Sequence, residues 1–125
     1  SIANLPWSLE VRSECSMNTS NINHLSVYVN CNEGNKSPYW GCEASVTFSL
    51  LSQRVGQKSY TQEAFVRTFC NDYDGWGCSL FVPWDTVVDR KNGFIRKDDG
   101  GVVVEAAIAV IKVIGLPEST LCDFT

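Results

Sequence analysis

The sequence predicts an all-β chain folded as an antiparallel β-sandwich of about seven to eight strands. Three observations carry that prediction. Apolar and polar residues alternate over short runs, turn residues interrupt those runs at short spacing, and no helical period persists anywhere in the chain. A length of 125 residues suits one domain. Such a domain buries about two thirds of the surface its unfolded chain exposes, enough for a core without metal or covalent staples.

The elements are expected as follows. Residues 5–11 form the first strand, with Trp7, Leu9 and Val11 alternating against Ser8 and Glu10. Pro6 stands at its start, where a missing donor does least harm. Residues 13–23 are polar and read as a loop. Residues 24–31 form the second strand, with Leu25, Val27, Val29 and Cys31 on one face and His24, Ser26, Tyr28 and Asn30 on the other. After a turn over 32–38, residues 39–52 are extended, and 53–59 form a hairpin loop with Gly56 at its tip. Residues 60–70 read as one strand carrying Phe65, Arg67 and Phe69 on a shared face. Residues 84–89 make a helical turn, and 89–99 are turn-rich around the pair Phe94-Ile95. Residues 101–114, rich in Val, Ile and Ala, form a last strand expected to be buried along much of its length. The domain thus covers 1–115, and 116–125 reads as a tail or linker.

The chain is organised around residues 72–84. Asn71, Asp72, Asp74 and Gly75 leave regular structure easily and open the stretch as a turn. A short strand follows, with Trp76, Cys78 and Leu80 on one face and Gly77, Ser79 and Phe81 on the other, until Pro83 ends it. A short strand stopped by proline suits a sheet edge, whose free N–H and C=O groups must be paired, covered or used.

Net charge is −4 and the pI is near 4.8, which argues against nucleic acid and anionic membrane as main partners. No apolar run has the length of a membrane span; the longest, 102–114, is broken by Glu105 and Lys112. Six cysteines and two glycosylation sequons, at Asn18 and Asn35, are compatible with a secreted, disulfide-bonded domain. Against that, several cysteines hold apolar strand positions where a free thiol acts as a small hydrophobe, so reduced thiols in the cytoplasm or nucleus are expected ahead of secretion. One histidine, no nucleophile elbow and no triad leave acyl transfer without its parts, so the domain is read as a non-enzyme. No Cys-x-x-Cys occurs, and neither a metal nor a cofactor is expected.

The order of motifs resembles the MATH (TRAF-like) family. Leu5-Pro6-Trp7-Ser8-Leu9-Glu10-Val11 is similar to the family's Trp-x-Leu-x-Val opening, and His24-Leu25-Ser26-Val27-Tyr28-Val29 to its Leu-Ser-Val-Tyr-Leu strand. Tyr39-Trp40-Gly41-Cys42-Glu43-Ala44 with Phe48-Ser49-Leu50-Leu51 resembles the next element, and Gly75-Trp76-Gly77 with Phe81 the Trp-Gly signature. Asn92-Gly93-Phe94-Ile95, Asp98-Asp99 and Val102-Val103-Val104-Glu105 resemble its close. The resemblance spans about residues 5–114 and is nearest to the modules of nematode-type MATH-BTB proteins and one class of ubiquitin-specific proteases. Family members usually carry a further strand before the Trp7 region, which the resemblance finds missing here; a neighbour's edge is then expected to be exposed.

The resemblance implies binding of short extended peptides by β-augmentation beside the Trp76-Gly77 strand, in substrate recognition within the ubiquitin pathway. The parent would be a ligase adaptor or a deubiquitinase. By position, the implied peptide-binding residues are Asp74, Gly75, Trp76, Gly77, Cys78 and Ser79, with His24 and Tyr28 on the polar face of the second strand. Gly77 would let a peptide backbone come close, and Trp76 would offer an apolar wall. Two positions depart from the family: Gly75 where an acidic residue often precedes the Trp, and Cys78 where an aromatic often follows it. Beside these roles stand simpler ones: Trp76 a rim aromatic, Gly77 a bulge residue, Asp74 a solvated turn residue, Cys78 a packed thiol, and His24 exposed on a strand face. Two other functions compete: self-assembly as TRAF-like domains do, giving a homo-oligomer, and an extracellular disulfide-bonded module.

Overall fold

The computed structural model describes residues 5–16 and 22–115. Its strands are β1 (Trp7–Ser16), β2 (Ile22–Cys31), β3 (Gly41–Leu50), β4 (Tyr60–Thr61), β5 (Phe65–Cys70), β6 (Gly75–Pro83) and β7 (Val104–Ile114). One short helix, α1 (Trp84–Val88), and a 3-10 turn at Arg90–Asn92 complete the described elements. One sheet has the order β1-β2-β6. In the other, β3 pairs with β4 and β5 and also with β7. Every pairing is antiparallel. The all-β sandwich expected from alternation is what forms.

The two sheets close on a core in which period two is plain. Leu25, Val27, Val29 and Cys31 of β2 are buried, as are Cys42, Ala44, Val46, Phe48 and Leu50 of β3. Phe48 joins the layers, its ring 5.7 Å from Phe65 and 6.2 Å from Phe81. Trp7 packs edge-on to Phe69 at 5.3 Å. Each fully buried side chain of this size contributes about 1.5–3 kcal/mol. Cys31 and Cys42, both free and buried, are neighbours in the core. Burial first, and then the neighbouring Cys42, pushes the Cys31 thiol up to about 12.

Several expectations are corrected. β1 runs on to Ser16 and β2 begins at Ile22, so part of the polar stretch read as a loop is strand. Polar contacts supply what apolar patterning lacks there: along β1, Arg12 pairs with Glu10 and Glu14, and across from β2 the Tyr28 hydroxyl donates to Glu14 at 3.0 Å. The strand expected over 60–70 divides into β4 and β5, which pair with opposite ends of β3. β7 is not buried along its length. It alternates half-buried and exposed residues and ends with Ile111, Val113 and Ile114 at 56%, 36% and 50% exposure. The reason is topological, since β7 pairs only with β3 and its other edge meets no described strand. His24 is buried rather than exposed, with its Nδ1 3.1 Å from the Ile22 carbonyl. The expected tail 116–125, Cys122 and the sequon at Asn18 lie outside the described residues.

Candidate functional site

β6 is built by the sequence that precedes it. The backbone N–H groups of Cys70 and Tyr73 each donate to the other residue's carbonyl, at 3.0 and 3.1 Å, which closes a tight turn. That turn carries the chain from β5 in one sheet to β6 in the other. Asp74 anchors the entry: its carbonyl accepts from Cys31 N at 2.8 Å, and its Oδ2 accepts from Gly34 N at 3.2 Å. Asp74 therefore holds the turn after β2 rather than standing free in solvent.

β6 pairs with β2 alone, and no strand lies on its other side among the described residues. The pairing is regular from Gly75 to Cys78 and shifts between Cys78 and Val82. This bulge breaks the expected alternation. Leu80, expected to share a face with Trp76, is 44% exposed, while Phe81 and Val82 are both buried. Ser26, fully buried on β2, donates through its hydroxyl to the Ser79 carbonyl at 2.6 Å, and so satisfies a group that the bulge takes out of the ladder.

Trp76 lies across the opening between the two sheets. Its indole Nε1 donates to the Thr68 carbonyl on β5 at 3.2 Å, which ties one sheet edge to the other. Tyr73 stacks on it with centroids 5.9 Å apart. On β5, the Arg67 guanidinium lies 5.3 Å from the Trp76 ring centre and 5.1 Å from that of Phe65. A ladder of Tyr73, Trp76, Arg67 and Phe65 thus lines the side of the sandwich beside the free edge. Each cation–π contact in a part-exposed place is worth about 0.5–1 kcal/mol, and together they limit the motion of the indole.

Gly77 faces the other way. A Cβ there would sit 2.1 Å from the Val27 carbonyl oxygen and 2.6 Å from Tyr28 Cδ1, so the fold itself requires a glycine. The Tyr28 ring occupies that outer face, with Arg12 4.8 Å above it. Burial and then the Glu14 carboxylate raise the Tyr28 hydroxyl above its ordinary value. Gly75 is likewise closed in by Asn30. Half-buried Cys78 and exposed Ser79 continue the edge.

The structure thus gathers Gly75 to Ser79 on one strand with Asp74 at its entry, and sets Trp76 and Tyr28 on opposite sides of it. His24 is not part of this group, because the register sets it opposite Pro83 at the far end of β6. Sequence reasoning missed Arg67 and Tyr73. The shared face of Phe65, Arg67 and Phe69 was a signal for the first. The second sits in a turn, where periodicity carries no information.

Comparison with known proteins agrees with this architecture. A family model described as "MATH domain" matches residues 1–107. The chain is 33% identical over 123 residues to BTB and MATH domain-containing protein 38 of Caenorhabditis elegans, covering 98% of this chain and 30% of that protein. It is 29% identical over 127 residues to BTB and MATH domain-containing protein 36 of the same organism, covering 98% and 38%. Ubiquitin carboxyl-terminal hydrolase 7 of Drosophila melanogaster is 23% identical over 94 residues, which are 75% of this chain and 8% of that enzyme. The chain therefore spans little more than a third of the length of these BTB and MATH relatives at most. Motif order, sandwich topology and family match agree: this chain belongs to the MATH domain family, whose members are protein-interaction modules.

Proposed function

We propose that the domain binds short extended segments of partner proteins, which add as a strand to the free edge of β6, and that it serves substrate recognition in the ubiquitin pathway. The observation that carries this reading is the combination of a strand edge, paired by no described strand, with an indole already tied down beside it. An incoming strand gains main-chain hydrogen bonds from β6, while its alternate side chains meet the Trp76 ladder and the Tyr28 face. Arg67, held over two rings, adds a preference for an acidic residue in the segment. The BTB-MATH and ubiquitin-hydrolase names of the relatives support the pathway and a parent that is a ligase adaptor or a deubiquitinase. The same reading places the protein in the cytoplasm or nucleus; titration of the unreduced protein is expected to find six free thiols, and fewer would contradict it.

A small interface of this kind gives Kd on the order of 1 μM, about 8 kcal/mol. Peptide display against the domain is expected to return one short motif. Trp76→Ala removes the anchor and weakens the selected peptide by about 30-fold or more, while circular dichroism shows the fold retained. Undiminished binding in a folded Trp76→Ala protein would refute the assignment.

A second reading has its own observation. β7 has an edge that no described strand covers, with Ile111, Val113 and Ile114 exposed, and an apolar cleft of about 180 Å³ between Trp7 and Leu9 of β1 and Ala106 and Ile108 of β7 opens beside it. These features suit self-assembly through β7. A concentration-independent monomer mass by light scattering excludes it.

A further inference from the structure

We propose that the opposite end of the sandwich carries a second binding site, a cradle for a phosphate group. Residues 51–59 and 89–101 meet there around a cavity of about 390 Å³ whose walls include Arg54, Arg90, Arg96 and Lys97 and no carboxylate among the described residues. The chain as a whole is acidic, yet six of its ten cations fall in these two segments: these four, Lys58 and Lys91. The local sign is therefore the reverse of the net charge of −4.

The charge is only partly compensated, since Asp89, Asp98 and Asp99 are the three acids of these segments against six cations. Arg96 is paired with Asp99 at 2.9 Å, but Arg54, Arg90 and Lys97 have no carboxylate within ion-pair distance among the described residues. The nearby acids are engaged with the backbone. Asp89 accepts from Lys91 N at 3.0 Å, and Asp98 accepts from Asp99 N at 2.9 Å. Three cations without a carboxylate partner among the described residues thus face one cavity.

The walls are set in place before any ligand arrives. Gln53 N donates to the Gly93 carbonyl at 2.7 Å, Gln57 Nε2 to the Lys91 carbonyl at 2.9 Å, and Arg54 Nη2 to the Arg90 carbonyl at 2.5 Å. Within the second segment, Arg96 N donates to the Gly101 carbonyl at 2.8 Å and Gly100 N to the Arg96 carbonyl at 3.0 Å. Gly93 has φ +72°, a backbone conformation that strains any other L residue, and a Cβ there would press on the Arg54 and Gln57 side chains. Ordering costs that a flexible loop would incur on binding are already met in the fold.

The chemistry favours a phosphate over a lone carboxylate. Guanidinium forks bond two oxygens at once, and a dianion with several oxygens uses more than one fork together with the Lys97 ammonium. The cavity is larger than one phosphate, which leaves room for the group that bears it. The site is also separate from the Trp76 edge. Thr68, whose carbonyl holds the indole, pairs with Glu43, and Leu50 lies seven residues further along β3, about 23 Å at 3.3 Å per residue.

The test is titration of the 125-residue chain with sodium phosphate at neutral pH and constant ionic strength, followed by amide chemical shifts, beside the same titration with sodium chloride. Saturable shifts at Gly93, Gly100 and Gly101 are expected with phosphate alone. Arg90→Ala combined with Lys97→Ala removes two exposed side chains that make no hydrogen bond to the fold; it is expected to weaken phosphate by about ten-fold or more and to leave β1–β2 shifts unchanged. Shifts reproduced by chloride, shifts that never saturate, or equal binding by the double variant would each overturn the proposal. A phosphoserine peptide that binds about ten-fold tighter than phosphate identifies a phosphorylated protein segment as the source, and equal affinity identifies free phosphate. Trp76→Ala is expected to leave phosphate binding intact, so this site and the peptide edge fail independently.

Discussion

Gly77→Ala separates what the fold demands of the Trp-Gly signature from what a ligand would demand. The added methyl carbon would lie 2.1 Å from the Val27 carbonyl oxygen, 2.6 Å from Tyr28 Cα and 2.6 Å from Tyr28 Cδ1. Ordinary contact begins near 3.4 Å, so β6 must move away from β2 by roughly 3.4 − 2.1, or 1.3 Å. Two of the three obstacles are backbone, which no rotamer change relieves. Overpacking of this kind costs about 1–3 kcal/mol, and a strained ladder bond beside it about 1 more, so about 3 kcal/mol is expected in all. For 125 residues the unfolding entropy is about 0.26 kcal/mol/K, which converts that loss to a fall in Tm of about 11 °C. Urea denaturation and thermal circular dichroism both read it. Gly56→Ala is the control. Gly56 has φ +80° but nothing within 4 Å, so only the left-handed backbone penalty of about 1 kcal/mol applies. Tyr28→Ala in the Gly77→Ala background restores stability only in part, since the Val27 carbonyl still blocks the methyl. A Gly77→Ala protein that melts within about 2 °C of wild type, or a larger loss in Gly56→Ala, would refute the reasoning.

Ser26→Ala orphans the Ser79 carbonyl at the β6 bulge and is expected to cost about 1–3 kcal/mol in urea denaturation; no change would mean that the bulge is satisfied otherwise. Near pH 8 a thiol with its pKa at about 12 is thiolate in about one molecule in 10⁴, so Cys31 is expected to resist a thiol reagent in the native protein while exposed Cys15 reacts; equal rates would contradict the burial. The same thiol adds a pH dependence. It loses its proton near 9 when unfolded and near 12 when folded, so its stabilising effect is whole below pH 9 and is lost as pH rises from 9 toward 12. Denaturation midpoints measured across that range are expected to fall less steeply in Cys31→Ala.

How much was legible in the sequence differs by element. The alternation of Leu25, Val27, Val29 and Cys31 marks a half-buried strand by itself, because period two is a property of the local backbone. Proline at 83 and the turn residues before Trp76 bound β6 for the same local reason. Motif order alone was enough to indicate the MATH family. What stayed hidden depends on partners distant in sequence. The polar end of β1 becomes strand because β2 supplies cross-strand pairs, and no single segment contains that information. β7 reads as a buried strand from composition, but its place at a sheet edge leaves Ile111 and Ile114 in solvent. The bulge in β6 turns Leu80 outward and Phe81 inward, a choice made by the register with β2. The Tyr73–Trp76–Arg67–Phe65 ladder and the cationic cradle likewise join segments from different loops and sheets. Local chemistry chooses the strands and the residues that end them; which side chains meet is chosen by sheet order and register, through contacts no window of the chain holds.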